Sequence, residues 1–318
     1  MKTKLKLKPK VKLIILLLFV FIIISVYGYN AYQDYLYEQT YEYKIMQLGY
    51  TFDEYKMLKE NFKEKYLEKF INMGYNENIL LLLKEKYYIK DNFEKYLDYI
   101  SKEDVTINEA ITTINLGLNE EYYKNPSDTD IEKESLMLVN KYTKLSEDYI
   151  PKNLVSVSRT YSWGEEGSIQ VIDYVYEAFL EMAKAAKEEG HSLMINSAYR
   201  SYISQKEVYE TYEKSYGKDY ADSIAARPGF SEHQSGYSLD IFSLASSSQT
   251  TFKDSDTYNW LINNCYKFGF ILRYPESKEN ITGFNFESWH YRFVGSEAAT
   301  FISNNNLTFD EYYAFYLR

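Results

Sequence analysis

The hydrophobic pattern divides the chain into three regimes. From Lys2 to Lys12, lysines alternate with small or apolar residues, and then Leu13 to Ile24 is an unbroken apolar run. Continued through Ser25, Val26, Tyr27 and Gly28, the run reaches the ~20 residues that a helix needs to cross a bilayer. From Tyr32 to about Tyr123 the spacing turns amphipathic and helical, rich in Glu, Lys, Leu and Tyr. A weak repeat shows in Leu48-Gly49-Tyr50 and Met73-Gly74-Tyr75, with Ile114-Asn115-Leu116-Gly117-Leu118 as a degenerate third copy. Such spacing predicts short helices joined by glycine-containing turns, each burying its stripe on its neighbour. Asn125-Pro126-Ser127-Asp128-Thr129-Asp130 is a cluster of breakers and marks a boundary.

Beyond that cluster the period changes repeatedly. Val171, Val175, Phe179, Met182 and Ala186 recur at three- and four-residue steps up to Gly190 and predict an amphipathic helix. Ser192–Asn196 reads as a short buried strand. Ser204-x-x-Glu207 has capping-box spacing and predicts a helix running to about Tyr216. A strand is expected at Leu239–Phe242, a helix from an Asp256 cap through Phe268, and a last strand at Phe286–Val294. Strands and helices without a βαβ rhythm suggest an α+β domain with an antiparallel sheet flanked by helices. The expected organisation is a basic tail (1–12), a transmembrane anchor (13–29), a helical repeat or spacer (30–129) and a C-terminal domain (130–318).

Charge refines the first regime. Lysines immediately before the apolar run place the N-terminus in the cytoplasm and the remainder outside the cell membrane, as a single-pass protein. A cleaved signal peptide competes with this reading, but Ser25-Val26-Tyr27-Gly28-Tyr29 is a poor A-x-A-like site. Setting aside the six lysines of the tail leaves 30 basic against 46 acidic residues. So acidic a body argues against nucleic-acid binding, which needs a basic surface. The single cysteine, Cys265, excludes an intramolecular disulfide and falls on the apolar face of the expected helix.

Candidate chemistry gathers around two of the three histidines. His233 stands in Ser231-Glu232-His233-Gln234-Ser235-Gly236-Tyr237-Ser238-Leu239-Asp240, and His290 in Phe286-Glu287-Ser288-Trp289-His290-Tyr291. A catalytic zinc takes three nitrogen or oxygen ligands and keeps one position open. His233, Asp240 and His290 would supply two imidazoles and a carboxylate. Asp240 lies inside an expected strand, where an unpaired carboxylate is costly and a cation would resolve the cost. Glu287 and His290 would face opposite sides of an ideal strand, so a turn or bulge must bring them together before Glu287 can serve as a base. Spacing alone leaves the metal open: H-E-x-x-H is absent, and a histidine in a glycine-containing loop is ordinarily structural.

Taken together, Ser231-x-His233-x-x-Gly236-x-x-x-Asp240 and Glu287-x-Trp289-His290 resemble the paired signatures of the D-alanyl-D-alanine carboxypeptidase (VanY-type) family of zinc peptidases. Ser197-Ala198-Tyr199-Arg200-Ser201 with Gln205 is similar to its third motif. Leu138-Val139-Asn140-Lys141-Tyr142 and Phe268-Gly269-Phe270 add to the likeness, which spans roughly 132–318. The resemblance implies an α+β LAS-type fold, one Zn2+ held by His233, Asp240 and His290, and Glu287 as general base. It also implies Arg200 on the terminal carboxylate of a peptidoglycan stem peptide, with Gln205 and Ser231 as weaker substrate contacts. Ser238 and Ser288 depart from the usual alanine and proline, and neither change removes a reactive group.

The activity so implied is hydrolysis of the terminal D-alanine. L,D-carboxypeptidase or endopeptidase activity on the same fold, and a non-catalytic wall-peptide-binding module, stay open beside it. A serine peptidase of the penicillin-binding type has only Ser215-x-x-Lys218 and Ser303-Asn304-Asn305 in its favour, without K-T-G. His191 fits no motif and reads as a loop residue.

Overall fold

The computed structural model describes residues 8–165, 167–244 and 249–317, so the lysines at 2, 4 and 6 and the terminal Arg318 lie outside the described residues. The chain forms two compact units, residues 1–86 and 87–318.

In the first unit α1 (Pro9–Glu38) is a single helix of 30 residues. It is long and apolar enough to cross a membrane, and none of it is buried. Four short helices follow: α2 (Tyr41–Gln47), α3 (Phe52–Asn61), α4 (Glu64–Met73) and α5 (Glu77–Lys84). Thr51 and Glu54 form a capping box at the start of α3, satisfying two backbone N–H groups reciprocally. The two Gly-Tyr copies meet: the Tyr50 and Tyr75 rings lie 4.7 Å apart. The Tyr50 hydroxyl also accepts the Asn76 N–H at 2.9 Å.

The second unit begins inside the stretch whose composition is uniformly helical. Its α6 (Phe93–Lys102) and α7 (Ile107–Leu116) are held by Asn115, which is fully buried. The Asn115 amide donates to the Tyr87 carbonyl and its oxygen accepts from Asn92. A short parallel pair, β1 (Ser127–Asp128) and β2 (Thr143–Lys144), leads into an antiparallel pair, β3 (Leu154–Ser156) and β4 (Gln170–Ile172). Then come α8 (Asp173–Glu188), β5 (Leu193–Ser197), α9 (Tyr202–Tyr216), α10 (Lys218–Ile224) and β6 (Ser238–Ser243). The chain continues through α11 (Gln249–Phe252), α12 (Asp256–Asn264), β7 (Phe270–Leu272), α13 (Glu279–Thr282), β8 (His290–Phe293), α14 (Ser296–Asn304) and α15 (Phe309–Tyr312).

Strands β5, β6, β8 and β7 lie in that order, every neighbouring pair antiparallel. The apolar stripe of α8, Val175, Phe179, Met182 and Ala186, packs into one core with Leu193, Ile195, Leu239, Ile241 and Tyr291 of the sheet. The fold is thus α+β, an antiparallel sheet flanked by helices.

Several boundaries differ from the pattern-based expectation, each for a local reason. Val171 belongs to β4, paired with Val155, so α8 starts two residues later. Helix α9 opens at Tyr202 because the Ser201 hydroxyl accepts the Ser204 N–H, leaving Ser204 inside the first turn. Ser255 rather than Asp256 caps α12, which ends at Asn264 before a tight turn over Cys265–Phe268. The last strand contracts from Phe286–Val294 to His290–Phe293, since the His290 N–H turns back to the Glu287 carbonyl.

Candidate active site and metal centre

The sheet brings the two motifs into register. Asp240 on β6 is directly opposite His290 on β8, and Ser197 of β5 pairs Asp240 from the other side. Cross-strand partners hold their Cβ atoms only ~5 Å apart. His233 comes from a single tight turn, Glu232–Ser235, that ends on Gly236 with φ +80°. That left-handed residue lets the chain drop from the turn into β6. As a result one ligand atom each from His233, Asp240 and His290 lies within 4.8 Å of the others.

Tautomers follow from the neighbours. His233 Nδ1 is 2.7 Å from the Ala198 carbonyl, which only accepts, so Nδ1 carries the proton and Nε2 faces Asp240 Oδ2 at 3.5 Å. His290 Nδ1 is 3.2 Å from Asp240 Oδ1, while its Nε2 points toward Glu232 Oε2 at 3.5 Å. Asp240 Oδ1 is nevertheless buried without a hydrogen-bond partner. A buried carboxylate that faces one imidazole nitrogen with each oxygen and leaves Oδ1 unsatisfied fits a divalent cation of the zinc type, whose usual donors are N and O. Burial would lower His290, but the neighbouring Asp240 and Glu232 carboxylates outweigh it and push the imidazole up to about 9. Burial lowers His233.

Behind His290 lies a charge network that the motif reading did not include. Glu232 is fully buried, and its Oε1 accepts from Arg273 Nε at 2.8 Å and Arg292 Nη1 at 2.9 Å. Arg273 also pairs with Asp310, and Arg292 donates to the Ser135 and Met137 carbonyls. Burial alone would raise the Glu232 carboxyl, but the two guanidiniums hold it well below the usual carboxylate range. The signal for this network was present but faint: Arg292 is two residues from His290 and shares its face of the strand.

Glu287 sits just before β8, with Oε2 3.7 Å from His290 Nδ1. Burial pushes its carboxyl up to about 7. Arg200 follows β5 and is tied to the site by its N–H, which donates to the His233 carbonyl at 3.1 Å. Its guanidinium donates to Gln205 Oε1 and Ser197 Oγ, both at 2.9 Å. Gln205 spends its amide N–H on the Ala226 carbonyl, so both ends of its side chain are engaged and it orients Arg200. Ser231 is buried at the edge of the same cleft, which has a volume of about 450 Å³ and is also lined by Arg200, Glu287 and the three clustered residues.

Trp289 also lines the cleft, whereas His191, Cys265 and Ser215 do not. Trp289 stacks on Phe242, with ring centroids 6.3 Å apart. His191 lies beside Thr257 and Trp260. Cys265 is buried and its thiol is pushed up to about 12 by burial. Ser215 is exposed on α9.

The family model VanY, D-alanyl-D-alanine carboxypeptidase, matches residues 168–296. YodJ of Bacillus subtilis (strain 168) is 39% identical over 181 residues, covering 56% of this chain and 66% of that one. The D-alanyl-D-alanine carboxypeptidase of Enterococcus faecalis (strain ATCC 700802 / V583) is 35% identical over 192 residues, covering 58% and 67%. The chain thus spans about two-thirds of the length of these relatives. The solved structure of the LdcB LD-carboxypeptidase matches with a TM-score of 0.57 at 35% identity, covering 61% of this chain and 92% of that one. The matched family model takes in all three motifs, and the chain belongs to the VanY family of D-alanyl-D-alanine carboxypeptidases.

Proposed function

We propose that the chain is a zinc-dependent D,D-carboxypeptidase that removes the terminal D-alanine from peptidoglycan stem peptides. The observation that carries this reading is the convergence of His233, Asp240 and His290 around an unpartnered Asp240 oxygen, with Glu287 beside them in a cleft that also holds Arg200. Held by His233, Asp240 and His290, a zinc ion would supply Lewis acidity to a scissile carbonyl and an attacking water. Glu287, poised near neutrality by burial, takes a proton from that water and returns it to the leaving amine. Arg200, already oriented by Gln205 and Ser197, forks onto the free carboxylate and selects a chain end over an internal bond. Buried Ser231 lines the substrate side of the cleft. In this reading α1 is a retained anchor and the second unit works outside the membrane, where wall peptides are.

Similarity to LdcB supports a second reading, removal of the last residue of a tetrapeptide stem by L,D-cleavage. Mass spectrometry of defined stems incubated with the full chain in detergent separates these readings. Loss of D-alanine from the pentapeptide, abolished by a chelator and restored by zinc, is the expected result. Trimming of the tetrapeptide alone would move the assignment to L,D-cleavage, and cutting within a cross-linked dimer would make it an endopeptidase. Binding without any turnover would leave a wall-peptide-binding module. Glu287→Gln should still bind zinc while losing about 10²-fold or more in rate; full activity in that variant would remove Glu287 from its role.

A further inference from the structure

The cleft does not end at Arg200. An open groove of about 550 Å³ shares Arg200, Val208 and Tyr212 with it and runs on along α9 to Tyr216. Tyr212 and Tyr216 are one helical turn apart and so share a face of α9. Gly217, at φ +87°, then breaks the helix, and α10 brings Tyr220 onto the same surface. The three rings form a ladder: centroids of Tyr212 and Tyr216 are 6.4 Å apart, and those of Tyr216 and Tyr220 are 5.0 Å apart. Exposure is 37%, 65% and 50% in that order, so the rings form a contiguous exposed aromatic cluster. Tyr212 and Tyr220 also line the active-site cleft, so the ladder is continuous with it.

The chemistry of the groove identifies its occupant. Exposed rings present apolar faces, and the polar side chains that line the groove with Tyr212 and Tyr216, namely Ser204, Glu207, Thr211 and Ser215, offer hydroxyl and carboxylate groups. Among the described residues, Val208 is the one aliphatic side chain lining it. A lipid surface calls for aliphatic residues backed by Lys and Arg, which this lining lacks apart from Arg200. A pyranose offers both complements at once, an apolar C–H face for an aromatic ring and a rim of hydroxyls for short polar side chains. We propose that the Tyr212–Tyr216–Tyr220 ladder is a saccharide subsite that holds the sugar of a glycan-linked stem while its peptide lies in the cleft. The identity of the substrate rests on the peptidoglycan reading above; the sugar-binding surface does not.

Two measurements on the full chain in detergent test it. Saturation-transfer NMR with the N-acetylglucosamine tetramer should show transfer to pyranose ring protons, lost in Tyr216→Ala and kept in Tyr216→Phe. Tyr216 lies outside the cleft, so Tyr216→Ala should raise KM for a disaccharide-linked pentapeptide up to roughly tenfold. Its kcat/KM for the free pentapeptide should stay that of the parent. No transfer to the tetramer, or an equal change for both substrates, overturns the subsite; the latter would assign the ladder to the peptide. Should the parent chain turn over neither substrate, the functional reading fails, and the transfer experiment alone still decides the subsite.

Discussion

Glu232 shows how much of the site depends on a residue that stands behind the clustered histidines. Its Oε1 is consumed by two buried guanidiniums, which leaves Oε2 facing His290 Nε2 and Ser238 Oγ. A carboxylate in that position fixes the imidazole tautomer so that Nδ1 presents its lone pair to the Asp240 side. Glu232→Gln keeps the shape but can set an amide N–H against the His290 N–H. Zinc affinity, read by competition with a chromogenic chelator, should fall about 10- to 100-fold. Unchanged affinity, even with a lower melting temperature, would reduce Glu232 to neutralising Arg273 and Arg292. This role was only faintly legible in the sequence because the two arginines stand 41 and 60 residues away. His233, Asp240, His290 and Glu287 were legible as candidates because each sits in a short motif of ligand-type residues. Their convergence depends on strand register, which spacing does not encode.

At the level of elements, long apolar periods read well and ends read poorly. The stripe of α8 was plain, since four buried residues recur at helical steps. Its start was hidden because Val171 continues the same apolar pattern while pairing in β4. The contraction of β8 matters more for chemistry. The Glu287 N–H goes to the Tyr274 carbonyl, which pulls Glu287 out of the ladder and lets it sit on the same side as His290. Gly236 is the comparable device before β6. A Cβ there would meet Pro151 Cγ at 2.9 Å and Ile172 Cγ1 at 3.0 Å, at a φ of +80° that L-residues resist. Gly236→Ala should therefore cost about 2–4 kcal/mol from overpacking and backbone strain together. It should also weaken zinc binding, because the turn sets the distance from His233 to Asp240. Thermal melting with and without zinc checks both, and a variant as stable as the parent would show that the turn relaxes freely.

At the scale of the whole molecule, the metal candidates among the described residues are all supplied by the second unit. His233, Asp240 and His290 draw together a tight turn and two strands, so an ion among them would tie segments that are distant in sequence. Anything bound by the folded state and not by the unfolded chain adds stability by mass action, about 4 kcal/mol at a thousand times Kd. For a unit of this size each kcal/mol moves the midpoint by roughly 2–4 °C. Zinc added to chelator-stripped protein should thus raise the melting temperature of the second unit by roughly ten degrees, before any substrate is present. The helices of the first unit carry none of the clustered ligands, and their melting should not respond. His233→Ala should abolish the shift, because the remaining imidazole and carboxylate make a two-ligand site. A zinc-induced rise that survives this substitution would place the stabilising ion elsewhere in the chain, and the absence of any rise would remove the metal from the proposed chemistry.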